Sequence, residues 1–106
     1  RGLGDVYKRQ VFYPDIVAIK GTRVYFIEVK YRGDDRDVHM ELWKFKKYME
    51  EAEKQHACPV ICVYYASLHD WRCIHMNAYT HITKKYVVYE REHVWSCGRS
   101  INQFFD

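Results

Sequence analysis

A tight turn between two apolar segments constrains this chain more than any other feature of its sequence. The turn is Lys20-Gly21-Thr22-Arg23, and a glycine at its first central position favours the type II′ geometry of a two-residue β-hairpin. A two-residue loop fixes the register, because Lys20 then faces Arg23 and every other pair follows by counting outwards. On that count Asp15 faces Glu28 directly across the hairpin.

Two carboxylates are thus predicted to meet at one end of the hairpin. Asp15 and Glu28 would form a non-hydrogen-bonded pair with Cα atoms about 4.5 Å apart, and Lys30 would project from the same face. Like charges directly opposite each other destabilise a sheet, so such a pair needs a shared proton or a shared cation. Mg²⁺ or Mn²⁺ suits one or two carboxylates together with substrate phosphate and water. The trio therefore indicates metal-assisted hydrolysis of a phosphodiester bond.

The alternative is an ordinary surface hairpin whose charges form a cross-strand ion cluster. The apolar composition of both faces argues against it, because strands of this kind are typically central in a sheet and covered on both sides. We therefore expect both strands to be central and favour a functional site. The residues concerned are Val17, Ile19, Val24 and Phe26 on one face, and Ile16, Ala18, Tyr25 and Ile27 on the other.

The bulk properties are those of one globular domain. The chain has 106 residues, of which 48% are hydrophobic and 17% aromatic, with a net charge of only +3. It contains no apolar run long enough to span a membrane and no recognisable secretory signal, so we expect a cytoplasmic protein of a prokaryotic or phage-infected cell. Its four cysteines lack CxxC spacing and are expected to be reduced.

Hydrophobic periodicity predicts the remaining elements. A helix with Asp37 as its N-cap should follow the hairpin and end before Pro59. Strands are predicted at residues 60–65, 71–76, 85–89 and 92–97, with a short helical turn over 77–82. This order predicts a single α/β domain, a central mixed sheet flanked by helices. The apolar stripe of the helix comprises Val38, Leu42, Phe45, Met49, Ala52 and His56.

The motif as a whole resembles a known signature. Pro14-Asp15 followed by Glu28-Val29-Lys30 on a hairpin, then a helix, a buried strand and the pair Trp71-Arg72, is similar to the PD-(D/E)xK nuclease superfamily. The likeness is greatest to archaeal-type Holliday-junction resolvases and related phage nucleases, and it covers about residues 12–82. It implies a restriction-endonuclease-like domain.

The resemblance also implies roles for individual residues. Asp15 and Glu28 would ligate Mg²⁺ or Mn²⁺ with the main-chain carbonyl of Val29, and Lys30 would orient or activate the attacking water. Such nucleases usually take a further acidic residue from an upstream helix. Residues 1–10 have the character of a non-native scar, so the nuclease domain, 11–106, is expected to lack that helix.

The function expected from this resemblance is Mg²⁺-dependent hydrolysis of DNA, with branched junctions as the substrate. Cutting two symmetric strands would require a homodimer. The basic residues Arg32, Arg36, Lys44 and Lys47 are the candidate DNA contacts, although helix lysines are often only a solvated face. Two alternatives stay open: a phage or repair nuclease acting on flaps, ends or single strands, and a catalytically inactive nucleic-acid-binding module of the same fold.

Overall fold

The computed structural model describes residue 12 and residues 14–106. The expected scar, residues 1–10, lies outside this part of the chain. Three α-helices are described, which we number α1 Leu42–Gln55, α2 Arg91–Cys97 and α3 Ile101–Phe104, with a 3-10 turn at Ala66–Leu68. The strands are β1 Ile16–Lys20, β2 Arg23–Arg32, β3 Val38–Glu41, β4 Ala57–Tyr65, β5 Asp70–His75, β6 His81–Ile82 and β7 Tyr86–Tyr89.

The predicted hairpin and its register are confirmed. Strands β1 and β2 pair antiparallel, with Lys20 opposite Arg23 and Ile16 opposite Ile27. Gly21 has φ +63°, whereas Thr22 is not among the residues with positive φ. A type I′ turn needs positive φ at both central positions, so this pattern fits the II′ turn that the glycine predicts.

The hairpin belongs to a four-stranded mixed sheet of order β1-β2-β4-β5. Strands β2 and β4 run parallel, and α1 forms the crossover between them; the other pairs are antiparallel. Helix α1 packs on one face of the sheet, and Phe104 of α3 packs on the other. The α/β class and the helix-flanked mixed sheet are thus as predicted.

The expectation that both hairpin strands are central is right for β2 and wrong for β1. Strand β2 lies between β1 and β4 and buries Tyr25, Phe26 and Ile27. Strand β1 pairs only with β2 in the described part of the chain. Its Val17 and Ile19 are accordingly 53% and 71% exposed. Apolar side chains alone do not distinguish an edge strand from a central one.

The predicted start of the first helix is wrong. Residues 38–41 form β3, which alternates buried and exposed side chains and pairs antiparallel with β7. Helix α1 begins only at Leu42, whose N–H donates to the carbonyl of Lys85 at 2.8 Å. Asp37 instead accepts from the N–H of Arg91 at 2.8 Å, so its carboxylate caps α2 rather than α1.

Two further elements differ from prediction. Residues 77–82 form a turn and then β6, which joins β7 and β3 in a second, three-stranded sheet. Residues 92–97, expected to be a strand, lie in α2, where Val94 is fully buried. None of the described helices is long and apolar enough to cross a membrane.

Candidate functional site

Glu28 lies in the middle of the site and is almost completely buried. Its strand is bonded on both sides, by β1 and by β4, and the residue retains 2% of its exposure. Among the described residues, it is the one charged residue that is buried. A buried carboxylate costs several kcal/mol unless other groups compensate it. Its partners therefore define the site.

Three side chains compensate Glu28, and two of them come from α1. The hydroxyl of Tyr48 donates to Oε1 at 2.7 Å. The ammonium of Lys44 donates to Oε2 at 2.9 Å, and that of Lys30 lies 3.5 Å from the same oxygen. Bonds of this kind, in which one or both partners are ionised, are the strong ones in proteins. One buried carboxylate thus faces two cations and a phenol.

Tyr48 is buried between α1 and the hairpin. Burial raises its pKa well above the ordinary value, and the adjacent Glu28 carboxylate raises the pKa further. The phenol therefore stays protonated and acts as a donor at neutral pH. The main-chain N–H of Asp15 lies 3.4 Å from the Tyr48 oxygen, and Phe12 packs edge-on against the ring at 4.9 Å between centroids. Tyr48 thus connects both carboxylate positions to the helix.

Asp15 precedes β1 directly, where the regular pairing of the hairpin ends. Its Oδ2 accepts a hydrogen bond from the N–H of Val29 at 2.8 Å. A strand residue points its N–H and C=O to the same side, so the Val29 carbonyl also faces the Asp15 side of β2. Asp15 itself is exposed, in contrast to Glu28. The structure thus brings together Asp15, Glu28, Val29 and Lys30, the four residues of the predicted centre.

The four basic residues predicted to contact DNA are placed less uniformly. Lys44 pairs with Glu28, whereas Lys47 lies 3.9 Å from Oε1 of Glu50 on the exposed face of α1. Arg32 donates to the main-chain oxygen of Tyr31 at 2.9 Å, and Arg36 pairs with Asp34. Both arginines line an open cavity of about 800 Å³ at the C-terminal end of β2. Three aspartates also line it: Asp34, Asp35 and Asp37.

Tyr48 is the contact of Glu28 that sequence reasoning missed. The predicted apolar stripe passed through Phe45, Met49 and Ala52, and Tyr48 was left out of it. Its spacing, three residues after Phe45 and four before Ala52, places it on the same side of the helix. A tyrosine within an apolar stripe needs a partner for its hydroxyl when it is buried, and this was the available signal.

The oxygen atoms around Asp15 fit a hard divalent cation. Within the described residues, no group of three or more His, Cys, Asp or Glu side chains could hold a metal ion. The donors at hand are the two carboxylates, Asp15 and Glu28, and the Val29 carbonyl. Mg²⁺ commonly binds through one or two carboxylates and completes its shell with water and substrate phosphate. Such a set is therefore sufficient for one ion.

The mixed sheet with helices on both faces, and the paired carboxylates with a neighbouring lysine on one hairpin, define a nuclease domain of the restriction-endonuclease-like class. A family model described as archaeal Holliday junction resolvase (Hjc) matches residues 3–102. The chain belongs to that family.

A solved structure has the same fold. It is that of Archaeoglobus fulgidus Hjc, described as a Holliday junction resolvase from an archaeal hyperthermophile. The two superpose with a TM-score of 0.76 at 20% identity, over 98% of this chain and 93% of the other. No curated protein matches the chain.

Proposed function

We propose that this chain is a divalent-metal-dependent endonuclease that cuts DNA four-way junctions. The observation that carries the proposal is the buried Glu28 carboxylate, held beside Lys30 on the strand that Asp15 faces. Membership of the resolvase family supports the substrate. A merely structural ion pair has no need of a second, exposed carboxylate at the same end of the hairpin.

Each residue then has a distinct role. Asp15, Glu28 and the Val29 carbonyl would hold a divalent cation, which would lower the pKa of water and stabilise charge on the phosphoryl oxygens. Tyr48 keeps the Glu28 carboxylate in one orientation through its 2.7 Å bond. Lys30 donates to the attacking water or to a non-bridging phosphate oxygen. The products would carry 5′-phosphate and 3′-hydroxyl ends.

Lys44 has two partners in this scheme. Without a cation it neutralises Glu28 at 2.9 Å, and its side chain is still 33% exposed. With a cation held at Glu28, the Lys44 ammonium would be free to contact a DNA phosphate. Arg32, Arg36 and Lys47 extend the basic surface on either side. The enzyme acts as a homodimer, because symmetric cuts in two strands require two centres.

Cleavage of a synthetic four-way junction tests the proposal. We expect paired symmetric cuts with Mg²⁺ and none with a chelator. Asp15→Asn, Glu28→Gln and Lys30→Met should each slow cleavage by roughly 100-fold or more, since each removes part of the metal or water site. Glu50→Gln, an exposed carboxylate on α1, is the matched control and should leave the rate unchanged.

Three results would contradict it. Junction binding without metal-dependent cleavage would support the inactive binding module. Faster cleavage of flaps, ends or single strands than of junctions would support the repair or phage nuclease. A monomer in sedimentation experiments, both free and on the junction, would exclude the paired mechanism.

A further inference from the structure

Two buried cysteines face each other across β4 and β5. Cys62 and Cys73 are partners in the antiparallel register, and their Sγ atoms lie 2.7 Å apart. They are 5% and 0% exposed. Cys62 is also aligned with Val29, whose side chain points away from the face that carries Glu28. The cysteine pair is therefore on the opposite side of the sheet from the nuclease site.

The backbone hydrogen bonds of Cys73 show whether Cys62 and Cys73 are a hydrogen-bonded or a non-hydrogen-bonded cross-strand pair. Its N–H donates to the carbonyl of Arg99 at 2.7 Å, and its carbonyl accepts from the N–H of Arg99 at 2.9 Å. Both groups point away from β4, so Cys62 and Cys73 form a non-hydrogen-bonded pair. In such pairs the Cα atoms are about 4.5 Å apart, which lies within the range that a disulfide bridges.

We propose that Cys62 and Cys73 are a site of reversible oxidation, at which a small-molecule disulfide such as oxidised glutathione forms a cross-strand disulfide. One thiolate attacks the small disulfide, releasing one thiol and leaving a mixed disulfide on the protein. The second thiolate attacks that mixed disulfide and releases the second thiol. The protein loses two electrons and two protons, and the small disulfide gains them.

Burial sets the rate of this reaction. The hydrogen bond with Cys73 raises the pKa of the Cys62 thiol, and burial raises this pKa further, so little thiolate forms in the native state. Oxidation should be slow in the folded protein and faster during refolding, when both thiols are accessible. Once formed, the bond joins β4 to β5, and Arg99 connects β5 to the C-terminal segment.

The bond would stabilise the apolar core on this face of the sheet, the smaller of two formed by the described residues. That core contains Tyr25, Ile27 and Val60 beside the two cysteines, and Phe104 and Phe105 cover it. A cross-strand disulfide would act mainly by restricting the conformations of the unfolded chain. The effect should appear in thermal stability and leave the catalytic face unchanged.

A variant that retains only this pair makes the test specific. Cys58 contacts His75 at 3.2 Å and Cys97 is exposed, so both could react with an oxidant themselves. The variant Cys58→Ser/Cys97→Ser removes them. Trypsin cleaves after Arg72 and thereby separates Cys62 from Cys73 into two peptides.

One sample of the variant is refolded in the presence of oxidised glutathione. A second sample is incubated with oxidised glutathione in the folded state. We expect mass spectrometry to detect the two tryptic peptides joined by a reducible bond. Neither thiol should then react with an alkylating reagent. The melting temperature should rise by roughly 10 °C and fall again on reduction. Thiols that stay alkylatable after refolding, or a persistent glutathione adduct on one cysteine, would overturn the proposal.

The triple variant Cys58→Ser/Cys73→Ala/Cys97→Ser is the matched control. It retains Cys62 without its partner and should show no joined peptides and no rise in melting temperature. An equal rise in this variant would also overturn the proposal. None of these measurements depends on nuclease activity, so they are independent of the proposed function.

Discussion

At the scale of single residues, the burial of Glu28 dictates its neighbours. A carboxylate with 2% exposure needs protein groups in place of water, and Tyr48, Lys44 and Lys30 supply them. Removing any one of them leaves part of the desolvation cost uncompensated. The neighbours should nevertheless respond differently to substitution, because one is a neutral donor and the others carry charge.

Tyr48→Phe tests the neutral donor. We expect the free energy of unfolding to fall by about 2 kcal/mol, because a buried hydrogen bond to a charged group is lost while the ring remains. Urea denaturation measures the change. Tyr86→Phe, at a tyrosine that is 40% exposed, is the control and should cost less than about 0.5 kcal/mol. Equal losses in both variants would show that the Tyr48 hydroxyl does not stabilise Glu28.

Lys44→Met tests the role of the Lys44 ammonium beside Glu28. Without metal, the variant should lose about 2 kcal/mol of stability, since the buried Glu28 carboxylate loses its 2.9 Å partner. Its affinity for Mg²⁺ should rise several-fold, because only one of the two ammonium groups beside the carboxylate, that of Lys30, then remains.

Calorimetric titration with Mg²⁺ in the absence of DNA measures this affinity. Lys54→Met is the control, because within the described part of the chain Lys54 pairs only with the helix residues Glu50 and Glu51. Weaker Mg²⁺ binding by Lys44→Met would mean that Lys44 supports the metal site rather than competing with it.

At the scale of elements, Asp37 connects two distant parts of the chain. Its carboxylate caps α2 through the N–H of Arg91, 54 residues away. Asp37→Ala should lower the free energy of unfolding by about 1 kcal/mol, as the loss of an N-terminal helix cap usually does. Asp37→Asn retains an acceptor oxygen and should lower the free energy of unfolding by only a few tenths of a kcal/mol. If both cost the same in urea denaturation, the carboxylate has a role other than capping.

What could be predicted from the sequence depended on how local each interaction is. The hairpin register followed from Gly21 and one turn, and it correctly aligned Ile16 with Ile27. The same register also predicted that Asp15 and Glu28, two residues of the proposed metal site, face each other. Tyr48 was missed because its role depends on how α1 packs over β2, which no local pattern contains.

The errors concern elements that are decided at long range. Residues 38–41 share an apolar spacing with α1, yet they form a strand because β7 offers them a partner. Residues 92–97 contain too few turns for a helical period to stand out from a strand. Asp37 has the sequence context of a cap for the helix that follows it, whereas its actual partner comes much later in the chain.

At the scale of the whole molecule, three buried tyrosines make stability sensitive to alkaline pH. Burial raises the pKa of Tyr65 to about 12, and it raises the pKa values of Tyr48 and Tyr89 further. In the unfolded chain these phenols ionise near pH 10. Above that pH the unfolded state binds fewer protons than the native state, so stability falls as pH rises.

We expect a loss of up to about 1.4 kcal/mol per pH unit for each of these tyrosines between about pH 10 and its native pKa. Urea denaturation at a series of alkaline pH values measures the slope, and the near-ultraviolet absorbance of tyrosinate should rise together with unfolding. A stability that stays constant through this range would contradict the burial of the three phenols. Tyr65→Phe removes one of these phenols, and the hydroxyl it removes has no partner among the described residues. The slope of stability against pH should therefore fall by the contribution of about one proton.

The contacts of Asp15 and Glu28 described above all lie within residues 15–48. Residues 57–106 support these residues through the pairing of β4 with β2 and through packing. Substitutions in the second half of the chain can therefore accumulate as long as the core is conserved in volume, with no direct penalty on the chemistry. Homologues can diverge there in stability and in thiol content while they retain the same carboxylates and lysine on the hairpin.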